Sequence, residues 1–229
     1  MTPLPRIRGL LLDAVGTLIR LREPPPTVYV RIAGHHGLRA TPEQVVGRLR
    51  AHRFEPPPLD GVPLSEVAGR EREGWREIVR DALGPIAADG PCFDELFDFY
   101  AGGEAWRVEP GAPQALAHAR VRGVQVAVVS NMDARLPHVL EALGLAPVID
   151  LVVLPSNTGF SKPDPRIFRF ALERLGIEAH SALYIGDREA DCVDAARKAG
   201  LRGLRYAPGC LSEDRQLLSE WSMLDAHMT

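Results

Sequence analysis

The feature that most constrains the fold is a set of short, nearly unbroken apolar runs, three of which end in a polar side chain. Arg8–Asp13 reads R-G-L-L-L-D, Val124–Ser130 reads V-Q-V-A-V-V-S, Ile149–Leu154 reads I-D-L-V-V-L and Ala182–Asp187 reads A-L-Y-I-G-D. Runs of this kind mark strands covered on both faces, as in a parallel sheet. A weaker fifth spans Gly203–Ala207. Helix-like stretches separate them: Gln114–Arg122, Leu136–Leu143, Arg166–Leu175 and Glu189–Ala199. In the third of these, Asp164-Pro165 supplies a cap and a first-turn proline, and Gly176 supplies the stop. Strands alternating with helices predict an α/β fold, a Rossmann-like parallel sheet with helices on both faces. Ligands in such folds sit at the carboxyl ends of strands. Asp13, Ser130 and Asp187 all fall there.

From about Arg22 to Val108 the rhythm stops. No clear strand is visible, while helix-like segments cover Val28–Leu38, Pro42–Phe54, Leu64–Leu83 and Phe93–Ala101, with Pro24–Pro26 and Pro56–Pro58 as joints. The expected organisation is a core of residues 1–21 and 109–229 with a helical cap, residues 22–108, inserted after the first strand. The tail from Leu211 to Thr229 is expected to form a final helix.

Composition narrows the class of function. A formal net charge of -3 over 229 residues leaves no basic footprint for nucleic acid. Nothing approaches a membrane span or a signal peptide, and the three scattered cysteines suit neither a disulfide framework nor a zinc site. A cytoplasmic protein with a small-molecule partner is expected, as a monomer or homodimer.

Four pieces then carry chemistry, in order: Asp13-Ala14-Val15-Gly16-Thr17-Leu18, Ser130-Asn131, Ser161-Lys162-Pro163-Asp164-Pro165, and Gly186-Asp187-Arg188-Glu189-Ala190-Asp191. A carboxylate on a tight, glycine-containing turn is held rigidly enough to act as a nucleophile. The Ser130 hydroxyl and neighbouring N–H groups can hold an anionic oxygen. Lys162 is one of only two lysines in an arginine-dominated chain, and a point charge suits both a carboxylate and a phosphate. Asp187 and Asp191 add acidic groups, so a hard cation such as magnesium is the natural companion. Gly16, Thr17 and Asn131 are candidate substrate contacts.

This four-part pattern resembles the haloacid dehalogenase superfamily over nearly the whole chain. The runs S-N-M-D-A-R-L, K-P-D-P-R-I-F and L-L-L-D-A-V-G-T-L-I-R-L-R are particularly similar to its subgroup of haloacid-dehalogenase-like hydrolase domain-containing proteins. The resemblance implies that Asp13 is a covalent nucleophile, that Ser130 and Lys162 hold the transferring oxygens, and that magnesium lies on Asp13, the Val15 carbonyl, Asp187 and Asp191. It implies a phosphatase acting on a small phosphorylated metabolite. Val15 departs from the pattern, because phosphatases of the superfamily generally carry there a second Asp that protonates the leaving alcohol. General acid–base help of that kind is worth about 100- to 10,000-fold in rate. Two other readings therefore stay open: a binding protein with little or no turnover, and a 2-haloacid dehalogenase. A Schiff-base phosphonatase is excluded, since no lysine precedes Phe160.

Plainer readings stand beside these. Asp13 could cap a turn, Ser130-Asn131 could cap a helix, and Asp187 and Asp191 could cap the helix that follows. His35-His36 and Glu23 are tempting replacement acids, although adjacent helical residues point apart. Trp75, Phe93, Phe97, Phe99 and Trp106 read as packing of the cap. Arg31, Arg50 and Arg53 read equally as a solvated face or as contacts to an acidic substrate.

Overall fold

The computed structural model describes residues 6–51, 59, 61–210, 214 and 216–228. The expected end of the second cap helix, with Arg53 and the Pro56–Pro58 joint, lies outside these residues, as does the start of the tail at Leu211.

The apolar runs form a parallel sheet. Its strands are β1 (Gly9–Leu12), β4 (Gln125–Val129), β5 (Leu151–Val153), β6 (Ala182–Gly186), β7 (Arg202–Tyr206) and β8 (Leu217–Leu218), in the spatial order β5-β4-β1-β6-β7-β8. Every residue of β1 is buried, which is why its sequence shows no alternation. Leu10 and Leu12 face one layer with Leu116 and Leu140, and Leu11 faces the other with Ile167 and Phe168. Each fully buried leucine contributes about 1.5–3 kcal/mol. The first layer carries α6 (Ala112–Val121) and α7 (Leu136–Ala142), and the second carries α9 (Arg166–Leu175) and α10 (Asp194–Lys198). Helix α9 stops at Gly176, whose φ of 65° is the left-handed conformation a helix end uses.

The chain runs outward from β1 through β4 to β5, then crosses back to β6 on the other side of β1. Loops at the carboxyl ends of β1, β4 and β6 therefore diverge around one crevice.

Between Leu21 and Trp106 the described residues form five α-helices: α1 (Pro25–His35), α2 (Pro42–Ala51), α3 (Leu64–Leu83), α4 (Pro85–Ala88) and α5 (Pro91–Ala101). They build their own core from Val28, Ile32, Val45, Val79, Phe93 and Leu96. The chain enters and leaves them through an antiparallel ribbon of β2 (Ile19–Leu21) and β3 (Trp106–Val108), with Ile19 opposite Val108 and Leu21 opposite Trp106. A strand thus lies inside the stretch that reads as purely helical. Three residues paired with a distant segment leave no local period to read. The tail also differs from expectation. Among its described residues it forms strand β8, a turn of 3-10 helix at Trp221–Met223 and only a short helix, α11 (Leu224–His227). Trp221 and Leu224 are buried against the sheet layer, and this packing outweighs the local helical pattern.

Candidate active site

Asp13 follows β1 directly and is nearly buried, 7% exposed. Its Oδ1 accepts from the Lys162 ammonium at 2.6 Å and from the Ala14 N–H at 2.8 Å. Its Oδ2 has the Cys192 thiol at 3.7 Å. Lys162 is 4% exposed and also donates to the Tyr184 hydroxyl at 3.2 Å. Burial opposes the Lys162 charge, but Asp13 outweighs it and holds the ammonium above its ordinary range. Burial and the Asp13 charge together push the Tyr184 phenol well up, so it stays protonated.

Two further sets of contacts fix this pair. Asn131 accepts the Lys162 N–H at 2.7 Å and donates to the Lys162 carbonyl at 2.8 Å, so it clamps the lysine's backbone to the β4 loop. Ser130 is buried, and its Oγ accepts the Met132 N–H at 3.1 Å. On the Asp13 side, Gly16 adopts φ 92°, and a Cβ there would lie 2.3 Å from Asp187 Oδ2. Only glycine fits both the turn and the close approach. Arg20 donates to the Gly16 carbonyl at 3.0 Å and pairs with buried Glu109, which in turn accepts from the Tyr206 hydroxyl at 2.7 Å. Sequence reading missed this brace, because Arg20, Glu109 and Tyr206 belong to three separate segments.

The fourth motif is only partly brought in. Asp187 reaches the crevice, and burial, then the Asp13 charge, raise its carboxyl above the usual range. Asp191 does not. It is half-exposed and pairs with Arg188 at 3.0 Å. The expected helix Glu189–Ala199 opens with a wide turn over Glu189–Val193, where the Val193 N–H reaches the Arg188 carbonyl five residues back. That shift turns Cys192 inward, in the place where Asp191 was expected. Its thiol is pushed up by burial, so it remains neutral. Glu189 pairs with Arg197 on the surface, as its position suggests.

Among the described residues, no group of three or more His, Cys, Asp or Glu side chains could hold a metal. Two carboxylates and a main-chain carbonyl remain: Asp13, Asp187 and Val15. All three are hard oxygen donors, and the two carboxylates repel each other, as the raised Asp187 records. This donor set suits magnesium, which keeps several waters and takes few protein ligands.

Above the pair opens a cavity of about 510 Å³. Asp13, Val15, Ser130, Asn131, Lys162 and Asp187 line it, but Gly16, Thr17 and Asp191 do not. Thr17 is fully buried, and among the described residues its Oγ1 has no hydrogen-bond partner. The helical insertion closes the cavity with Tyr29, Leu49, Trp75, Ile78 and Tyr100. Trp75 and Trp106, expected only to pack the insertion, face this space. Phe93, Phe97 and Phe99 pack within or against the insertion's core.

Arg135 and Asp133 were not singled out as site residues, although both stand in S-N-M-D-A-R-L. Arg135 lines the cavity and holds Asp133 with two donors, at 2.8 and 2.5 Å. It also donates to the Phe97 carbonyl at 3.0 Å and lies 3.8 Å over the Phe97 ring. Trp75 Nε1 donates to Asp133 at 2.5 Å. Asp133 and Arg135 thus tie α3 and α5 to the loop after β4. Burial opposes the charge on Asp133, yet Arg135 keeps its carboxyl below the usual range. Nearby Glu71 accepts the Ala134 N–H at 3.3 Å, and burial plus the Asp133 charge push it up to about 7. His35 and His36 both contact Glu95, at 2.8 and 2.7 Å, because His36 sits at the helix end and turns back. Glu23 pairs with Arg31 on the surface. Neither the histidine pair nor Glu23 lines the cavity.

A haloacid dehalogenase-like hydrolase family model matches residues 7–200. Haloacid dehalogenase-like hydrolase domain-containing protein 3 of Mus musculus is 36% identical over 213 residues, 88% of this chain and 82% of that protein. Phosphoserine phosphatase of Thermus thermophilus is 32% identical over 195 residues, 84% of this chain and 73% of that protein. A 2-haloacid dehalogenase from Pseudomonas syringae shares the fold at a TM-score of 0.65 and 21% identity, covering 97% of this chain and 98% of that one. With the motifs, the sheet order and the buried Asp13–Lys162 pair in agreement, this chain belongs to the haloacid dehalogenase-like hydrolases and is an enzyme of that family.

Proposed function

We propose that the enzyme is a phosphohydrolase that forms an aspartyl-phosphate on Asp13. The observation that carries this reading is the buried Asp13–Lys162 pair with Asp187 beside it: Asp13 and Asp187 end the adjacent strands β1 and β6, and Lys162 reaches them from the loop between α8 (Pro155–Thr158) and α9. Lys162 and Ala14 hold Oδ1, fixing the carboxylate's orientation, while Oδ2 has only a weak thiol neighbour. Oδ2 is thus the oxygen assigned to attack phosphorus. Ser130 and the Lys162 charge then face the oxygens of the transferring group, so catalysis rests on positioning and charge. Asp13, the Val15 carbonyl and Asp187 would hold magnesium, which when bound neutralises phosphate oxygens. The helical insertion acts as a cap that keeps bulk water from the intermediate.

The test is turnover of p-nitrophenyl phosphate and acetyl phosphate with and without magnesium, beside Asp13→Asn. Turnover lost without metal and in the variant supports the reading. The cavity's apolar walls also suit a 2-haloacid dehalogenase, so halide release from 2-chloropropionate is measured in parallel. Halide release with no phosphate release would replace the phosphohydrolase reading.

A further inference from the structure

We propose that the preferred substrates are phosphate monoesters of acidic hydroxyl groups, aryl or enol, whose flat organic body fills the cavity against Trp75, Tyr29 and Tyr100. This rests on the phosphohydrolase reading and names its substrate class. Two independent observations lead to it.

The first is the cavity wall. Facing Asp13 across the space are Leu21, Tyr29, Trp75, Ile78, Tyr100 and Trp106, four of them aromatic. A polyol or amino-acid leaving group would need several polar partners there. The other polar side chains of the lining are mostly committed: Arg135 to Asp133 and the Phe97 carbonyl, Arg188 to Asp191, and the Trp75 and Trp106 N–H groups to Asp133 and the Tyr100 carbonyl, beside the two phenols. Among the described residues Tyr100 Oη is buried without a hydrogen-bond partner, so its ring rather than its hydroxyl meets the open space, and burial keeps both Tyr29 and Tyr100 protonated.

The second is the missing acid. Among the described residues lining the cavity there is no His or Glu, and the only Asp residues are Asp13 and Asp187. Val15 stands on the nucleophile's own loop, 39% exposed. Among the described lining residues, no carboxyl outside the nucleophile and metal roles and no imidazole is left to protonate a departing oxygen. A phenol ionises at about 10, as Tyr does, whereas an alkanol lies close to water at about 15.7. Only the former leaves well unprotonated. In the step, Asp13 Oδ2 bonds to phosphorus, the bond from phosphorus to the aryl oxygen breaks, and its electron pair departs as aryloxide, which takes a proton from solvent. Water then attacks phosphorus, restoring the Asp13 carboxylate and releasing inorganic phosphate.

The experiment compares kcat/KM of the magnesium-loaded enzyme for 1-naphthyl phosphate, phenyl phosphate, 4-carboxyphenyl phosphate and glycerol 2-phosphate. The aryl esters are expected to exceed glycerol 2-phosphate by at least about 100-fold, the value of the absent acid. Equal kcat/KM for glycerol 2-phosphate overturns the proposal. A separate arm follows quenching of tryptophan fluorescence by 1-naphthol, which needs no chemistry. If no ester turns over, the phosphohydrolase reading fails, and this arm alone decides the cavity's preference: saturable quenching by 1-naphthol supports an aromatic ligand, and none overturns it.

Discussion

Replacing Lys162 by methionine tests whether the Asp13–Lys162 pair is as dry as its 2.6 Å contact and 4% lysine exposure imply. Methionine keeps the length of the stem and removes the charge, so Asp13 is left ionised in a pocket with the Ala14 N–H and a thiol as its neighbours. Removing one partner of a buried pair costs about 3–5 kcal/mol, because the other charge stays buried and uncompensated. For a chain of this size, that lowers the melting temperature by roughly 6–20 °C. Urea unfolding at pH 7 reads the loss, and the double variant Lys162→Met with Asp13→Asn recovers most of the lost stability. If Lys162→Met unfolds within about 1 kcal/mol of the parent at pH 7, the pair is solvated and the reasoning fails.

Three other outcomes follow from the same geometry. Gly16→Ala forces a positive-φ alanine against Asp187, so it costs about 1–3 kcal/mol in chemical unfolding and abolishes turnover, while a near-neutral result denies the close approach. Glu71, raised to about 7 from an ordinary 4.5, stabilises the fold most below 4.5 and loses that contribution as pH rises past 7. Glu71→Gln therefore flattens the melting temperature across that window, and an unchanged profile assigns the slope elsewhere. Val15→Asp supplies the missing acid and is expected to raise kcat on glycerol 2-phosphate by about 100- to 10,000-fold, with no gain refuting that account of position 15.

Much of the core was legible because its signals are local. The strand run Arg8–Asp13 declares a doubly covered strand and places Asp13 at its end, and the rarity of lysine points to Lys162. What escaped depends on distant or subtle geometry. Ile19–Leu21 finds its partner only after five intervening helices, so neither ribbon strand announces itself. The choice between Asp191 and Cys192 turns on one wide helical turn, and a normal α-helical reading cannot foresee that shift. Trp75 and Trp106 look like core residues because they are mostly buried. Their second role, lining the space above Asp13, exists only once the insertion is folded over the sheet. Asn131, expected as a substrate contact, clamps the Lys162 backbone, a job that needs both loops in place.

The central claim is that Asp13 becomes covalently phosphorylated. The most direct measurement mixes enzyme, magnesium and p-nitrophenyl phosphate, quenches with acid within the first turnovers, and maps the added phosphoryl group by peptide mass spectrometry. The account predicts a phosphoryl group on the peptide containing Asp13, absent in Asp13→Asn. Steady release of phosphate with no adduct at Asp13, or an adduct that survives Asp13→Asn, would contradict it.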